Sequence, residues 1–117
     1  MFVACIVISA ILAAVLLLSA IGKIRRDPRQ MGTMRKVGFP ENKLWLLALA
    51  EAAGAIGLVV GLFWWPLGAA AALGVIGYFI GAIVSHLRVK DTAIAIAAPA
   101  ALLAVAAVAM VLRLVSA

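Results

Sequence analysis

The chain has 117 residues, of which 68% are hydrophobic and 12% charged, and its mean hydropathy is +1.29. Soluble domains are about 45–50% apolar and about 25% charged, so this composition excludes a disordered chain, a disulfide-rich secreted module and almost any soluble enzyme. Each transmembrane helix needs about 20 residues, which limits the chain to roughly four spans. We therefore expect residues 1–117 to form a single transmembrane domain. The net charge of +6 favours contact with anionic lipid over nucleic acid.

The first apolar segment covers about residues 2–22 and carries no charge. A cleaved signal peptide would need a basic amino-terminal region, so we interpret this segment as a retained spanning helix. The loop 23–43 that follows is polar and basic. Pro28, Gly32 and the segment 38–40 (Gly-Phe-Pro) are expected to break any continuous helix within it.

Three further apolar segments complete a predicted all-α membrane fold, an up-down bundle of four transmembrane helices. The second and third are joined by a turn of a few residues that carries two tryptophans, which are typical of the membrane–water interface. Pro66 opens the third segment, and Pro99 is expected to kink the fourth. The predicted spans are about residues 44–62, 67–87 and 92–115.

The basic residues predict the orientation of the chain. Nine of the ten fall in the loop 23–43 and in the loop after the third span, which four spans place on one side of the membrane. The positive-inside rule puts this side in the cytoplasm and both termini outside. We expect the basic loop to contact anionic lipid headgroups. The nine are Lys23, Arg25, Arg26, Arg29, Arg35, Lys36, Lys43, Arg88 and Lys90, and Arg113 is alone on the other side.

Small residues recur at four-residue spacing in the second and third spans. Such stripes let helix backbones approach closely in lipid, where burial of apolar surface does not drive association. Because a short turn joins the two spans, we expect the two stripes to face each other. The alternative is that they reflect an alanine-rich composition. The stripes are Ala53, Gly57 and Gly61, and Gly77, Gly81 and Ser85.

Four polar residues are candidates for chemistry. Glu51 is the only acidic residue inside a predicted span, where a lone charge is costly, so we expect it to face a polar interior. His86 lies near the cytoplasmic end of the third span. Helical side chains lean toward the N-terminus of their own helix, and these two helices are antiparallel, so carboxylate and imidazole are expected within about 6 Å. Lys23 and Tyr78 are predicted to border the same ligand-binding, proton-exchanging pocket.

Each candidate also has a purely structural interpretation. Glu51 can be an ion-paired link between helices, His86 a hydrogen-bonding residue near the membrane surface, and Lys23 a topology signal. Tyr78 can be a packing aromatic. With one histidine and one cysteine in the chain, no metal site is predicted, and neither a phosphate-binding loop nor a nucleophile elbow occurs.

Four short motifs follow one another along the chain: Gly22-Lys23, Gly38-Phe39-Pro40, the segment 49–58 (LAEAAGAIGL) and Ser85-His86-Leu87. In this order and at these depths they resemble the DoxX-like family of small four-helix membrane proteins. The resemblance covers roughly residues 10–113.

The resemblance implies a multi-pass protein of the bacterial cytoplasmic membrane. Members of the family include small subunits of thiosulfate:quinone oxidoreductase and proteins implicated in membrane-associated oxidative-stress complexes. More distant relatives serve in the maturation or assembly of other membrane proteins. The cysteine pairs of some redox relatives are missing here, which argues against direct thiol or thiosulfate chemistry.

Three functions remain open from the sequence, and so does the question whether the protein is an enzyme. The first is a redox-accessory protein whose Glu51/His86 pocket holds a quinone-like or other lipophilic ligand and exchanges protons, together with another membrane redox protein or a second copy. The second is a non-catalytic assembly or scaffold subunit. The third, a small proton-coupled exporter, is disfavoured because such exporters carry the membrane glutamate in their first span.

The orientation can be tested by cysteine labelling of Gly32→Cys and Ala117→Cys, each in a Cys5→Ala background. An impermeant maleimide should label position 117 in intact cells and position 32 only after permeabilisation, because the positive-inside rule keeps the basic loop in the cytoplasm. The reverse pattern would contradict the predicted orientation.

Overall fold

The computed structural model describes residues 2–116, and all of its regular structure is helical. A 3₁₀ turn at Glu41–Lys43 precedes the third helix. This all-helical architecture confirms the predicted fold class. The helices are α1 (Phe2–Ile24), α2 (Pro28–Val37), α3 (Leu44–Val60), α4 (Trp65–Arg88) and α5 (Ala93–Val115).

The helix α2 lies where the sequence analysis expected an irregular loop. The expected breaks in fact delimit it: Pro28 occupies its first turn, and Gly38 ends it with φ of 75°. Proline suits a first helical turn because its missing N–H is not needed there, and glycine adopts the left-handed cap at no steric cost. The Asp27 carboxylate accepts the Arg29 backbone N–H at 2.9 Å. Gly32 is tolerated inside the helix.

The four long helices form a ring in which each packs against two neighbours. Helix α1 contacts α3 and α5, and α4 contacts α3 and α5, so α1 and α4 lie on a diagonal. Helices α1, α4 and α5 are long and apolar enough to cross a membrane, and α3, with 17 residues, is a shorter apolar helix. The buried core is Leu12, Ala13, Leu16, Ala55, Leu58, Ala72, Val75, Phe79, Ala106 and Ala109.

Helices α3 and α4 approach most closely next to the turn that joins them. A Cβ atom on Gly61 would lie 2.2 Å from the Gly68 Cα atom, and one on Gly57 would lie 2.8 Å from the Ala71 Cβ atom. Both contacts are far shorter than van der Waals separation, so the approach depends on glycine. Gly57 and Gly61 of the α3 stripe therefore do pack against α4, as small residues in membrane helices do.

The α4 stripe does not take part in that contact. A Cβ atom on Gly77 or Gly81 would meet nothing within 4 Å, and the Ser85 hydroxyl donates to the Gly81 carbonyl at 2.9 Å. Ala53 in α3 is also exposed. Gly77 points away from the packed face of α4 because it stands two residues after the buried Val75, about 200° round the helix at 3.6 residues per turn. The expectation that the two stripes face each other is corrected accordingly.

Arg113 fastens the end of the bundle opposite the basic loops. Its guanidinium donates to the Leu62 carbonyl at 3.2 Å and to the Ser116 carbonyl at 3.2 Å. The guanidinium carbon lies 5.2 Å from the centre of the Phe2 ring, and the aliphatic stem lies against Gly68. The residue is only 6% exposed, so Arg113 ties α5 to the three other long helices at once.

The close contact next to the α3–α4 turn gives a stability prediction. Gly61→Ala should lower the free energy of unfolding by about 1–3 kcal/mol, because the added methyl group meets backbone that has no room to move. Gly74→Ala is the matched control: its Cβ would meet nothing within 4 Å, so no loss is expected. Thermal unfolding in detergent measures both, and equal effects would contradict the packing described.

Candidate functional site

A cavity of about 640 Å³ lies at the basic end of the bundle. Helix α2 supplies part of its wall, and residues of α1, α3, α4 and α5 supply the rest. Cavities of this size typically hold small molecules. All four residues that the sequence analysis selected line this one cavity, and so do further polar residues that it did not select, among them Gln30 and Asp91. The four are Lys23, Glu51, Tyr78 and His86.

Lys23 at the end of α1 forms an ion pair with Glu51 in α3. The Lys23 Nζ atom lies 2.7 Å from Glu51 Oε1, 2.9 Å from the Ser19 hydroxyl and 3.0 Å from Gln30 Oε1. Lys23 is 7% exposed and Glu51 3%. The ammonium group thus has three oxygen partners, which is what a buried charge requires.

Gly22 and Gln30 explain how the ammonium group is held. A Cβ atom on Gly22 would lie 2.1 Å from Gln30 Nε2, so glycine leaves room for the amide. That amide donates to the Ser19 carbonyl at 3.1 Å while its oxygen faces Lys23. Gln30 therefore links α2 to the end of α1. Sequence reasoning missed Gln30 because α2 itself was not predicted.

Tyr78 in α4 completes the surroundings of the Glu51 carboxylate. The Tyr78 hydroxyl lies beside the Glu51 carboxylate, so the carboxylate lies between α1 and α4. The Lys23 contact is an ion pair rather than an aligned hydrogen bond, and within residues 2–116 Glu51 Oε1 has no hydrogen bond of ordinary geometry. The expected proximity of Lys23, Glu51 and Tyr78 is thus found.

His86 is bound to Asp91 and not to Glu51. Its Nδ1 atom lies 2.7 Å from Asp91 Oδ2, and Asp91 Oδ1 in turn contacts Lys36 Nζ in α2 at 2.5 Å. Among the described residues, no hydrogen bond or ion pair joins His86 directly to Glu51. The direct pairing expected from opposed leaning is therefore corrected. The competing carboxylate comes from the turn after α4, only five residues further along the chain.

Asp91 is ionised, and this determines which ring nitrogen of His86 faces it with a hydrogen. Lys36, His86 and the Thr92 backbone N–H all donate to the carboxylate and lower the pKa of Asp91 to about 2. An ionised carboxylate only accepts hydrogen bonds, so Nδ1 of the neutral imidazole carries the hydrogen. In the neutral form of the ring the Nε2 atom is then the hydrogen-bond acceptor, and within residues 2–116 no hydrogen bond to it is formed. The helix α5 is capped by Thr92, whose side chain accepts the Ala95 backbone N–H.

The contact between Lys36 and Asp91 also joins α2 to the α4–α5 turn. It places both basic loops at one end of the bundle, as an up-down topology requires. Two clusters of polar side chains thus line the cavity. One consists of Lys23, Glu51 and Tyr78, and the other consists of Lys36, Asp91 and His86. Each carboxylate faces one lysine, and the His86 Nε2 atom remains available to a ligand. The searched part of the chain holds no cluster of three His, Cys, Asp or Glu side chains suited to a metal ion.

These features define a helical membrane protein with a polar cavity at one end of the bundle. The DoxX-like family matches residues 7–109, and the chain belongs to this family. No curated protein and no solved structure matches the chain.

The buried ion pair gives a second stability prediction. Lys23→Met should destabilise the bundle by about 3–5 kcal/mol, because it leaves the Glu51 charge buried without a partner. Lys23→Met combined with Glu51→Leu should regain most of that loss, because both charges are then absent. Unfolding in mixed micelles measures the double-mutant cycle.

Arg25→Met is the matched control, since Arg25 is an exposed basic residue two positions away. It should leave stability within about 0.5 kcal/mol of the wild type, as surface substitutions usually do. A double variant no more stable than Lys23→Met alone would show that the pair is not coupled.

Proposed function

We propose that this DoxX-like membrane protein is a redox-accessory component that binds a quinone-like ligand in the 640 Å³ cavity and exchanges protons with it. The observation that carries the proposal is that one cavity is lined both by a buried carboxylate, Glu51, paired with Lys23, and by an imidazole, His86, oriented by Asp91. Titratable groups that converge on a cavity are typical of functional sites.

The residues of the cavity fit a quinone head group. A bound quinone supplies two-electron, two-proton chemistry. The His86 Nε2 atom accepts a proton from a ring hydroxyl of the reduced head, while Asp91 holds the imidazole in the required tautomer and stabilises its charge. Glu51 keeps the Tyr78 hydroxyl and the Lys23 ammonium group in place on the other side of the cavity.

The electrons pass to or from a separate membrane redox protein, which is the proposed partner. We place the protein in the bacterial cytoplasmic membrane with both termini outside, so that the cavity faces the cytoplasm and its buffer of protons. The basic residues around the cavity then lie beside anionic lipid headgroups.

A non-catalytic scaffold is the second candidate, and one specific observation favours it. Lys23 and Glu51 satisfy each other and link α1 to α3, which is what a purely structural ion pair does. A scaffold has no use for the His86 Nε2 atom, which has no recorded partner, so ligand binding distinguishes the two functions.

The test is calorimetric titration of the purified protein in lipid nanodiscs with a tail-less benzoquinone and its quinol. Repeating the titration in buffers of different ionisation enthalpy counts the protons exchanged. The wild type should bind the quinol with proton transfer to the protein. His86→Ala and Glu51→Gln, of which the second keeps an oxygen partner for Lys23, should each insert normally but lose at least about tenfold in affinity, the effect of one hydrogen bond to a charged group.

The Asp91→Asn variant distinguishes the role of His86 in holding the ligand from its role in proton transfer. An asparagine amide donates to Nδ1, so the imidazole hydrogen moves to Nε2 and the acceptor is lost. Binding should persist while the proton count falls toward zero. Arg88→Ala, two residues from His86 and exposed, is the matched control and should behave as the wild type. Absence of quinone and quinol binding to the wild type would overturn the proposal in favour of the scaffold.

A further inference from the structure

A second cavity of about 290 Å³ adjoins the first on the side of α4 that faces away from α5. We call it the crevice. Helix α2 contributes Met34 and Val37, the following loop contributes Phe39, and α3 contributes Leu47. Its floor is formed by Gly77 and Gly81 of α4. The lining is therefore mostly apolar, unlike that of the larger cavity.

The crevice opens at the outer surface of α4. Gly77 and Gly81 are exposed, and neither would bring a Cβ atom within 4 Å of another group. Both lie in a helix long and apolar enough to cross a membrane. A glycine pair that packs against nothing gives no helix contact, but it does leave open space along α4.

The crevice and the larger cavity share part of their walls. Tyr78, Ala82, His86 and Met34 line both. His86 is only 8% exposed, and its Nε2 atom has no partner recorded within residues 2–116. A largely buried imidazole that lines both a charged cavity and an apolar crevice suits a ligand with a polar head and an apolar chain.

We infer that the crevice holds the hydrocarbon chain of a long-chain quinone whose head occupies the larger cavity, and that this ligand enters sideways from the bilayer between α3 and α4. The inference rests on the proposed function and specifies its ligand class. A tail that already lies in lipid gains little from apolar transfer, so the crevice acts by leaving space for the chain while the head reaches His86. Filling the crevice must then exclude long-chain ligands selectively.

The experiment compares two quinols with the same head, one without a tail and one with a decyl tail. Each quinol is titrated into nanodiscs. Affinity is expressed per mole of ligand dissolved in the lipid, so that the different partitioning of the two quinols into the bilayer does not affect the comparison. Gly77→Leu and Gly81→Leu should weaken decyl quinol binding at least about tenfold, the usual scale of a steric overlap. Binding of the tail-less quinol should stay within about twofold. Ala100→Leu, on an exposed face of α5 that lines neither cavity, should leave both affinities unchanged.

A photoreactive group at the end of the decyl tail supplies an independent readout. Labelling of the wild type should concentrate on the peptides that contain Phe39 and Gly81, and both leucine variants should abolish it. Labelling spread over all lipid-exposed faces would mean that the crevice holds ordinary bilayer lipid. Labelling across two copies of the chain would mean that it is a dimer contact. Either result overturns the inference.

The outcomes separate the inference from the proposed function. If the wild type binds the tail-less quinol and the leucine variants bind the decyl quinol equally well, the crevice inference is wrong and the proposed function stands. Equal loss of both ligands in the leucine variants also overturns it, because the substitution then acts on the head site. If the wild type binds neither quinol, the proposed function fails and the inference fails with it.

Discussion

The ion pair between Lys23 and Glu51 is the constraint on which the cavity depends. A carboxylate inside an apolar bundle must have a partner, and here the partner comes from α1 at 2.7 Å. Holding that ammonium group requires the Gln30 amide, which in turn requires Gly22 and the helix α2. The charge pair thus explains why the short polar helix α2 folds back over the end of the bundle. Without it, the wall of the cavity would have no reason to form there.

The opposite end of the bundle is closed by different means. Arg113 reaches carbonyl oxygens beyond α3 and the ring of Phe2, and its stem lies against Gly68. A guanidinium group suits this role because its several donors satisfy carbonyl oxygens that a helix end leaves unpaired. Arg113 and the glycine contact of α3 with α4 thus fix this end of the bundle. The crevice lies farther along α4, at Gly77 and Gly81.

His86 and Glu51 act on one cavity without touching each other. This arrangement differs from a paired acid and base, because each group is oriented by a separate lysine and keeps one face toward the ligand space. Asp91 and Lys36 hold the imidazole, while Lys23 and Tyr78 hold the carboxylate. Two independently oriented groups on one wall suit a ligand that has polar atoms on both sides of a ring.

The sequence by itself determined the membrane class, the four long helices, the common side of the basic loops and the proximity of Lys23, Glu51 and Tyr78. These follow from hydropathy, from charge and from the lean of helical side chains toward the N-terminus of their helix, and each of these can be read from one helix at a time. Only the tertiary structure decided that His86 binds Asp91, that α2 is a helix, that Gly77 and Gly81 leave a crevice, and that Arg113 is buried. Each of these depends on which faces meet and on competition between nearby partners, which the one-dimensional pattern does not contain.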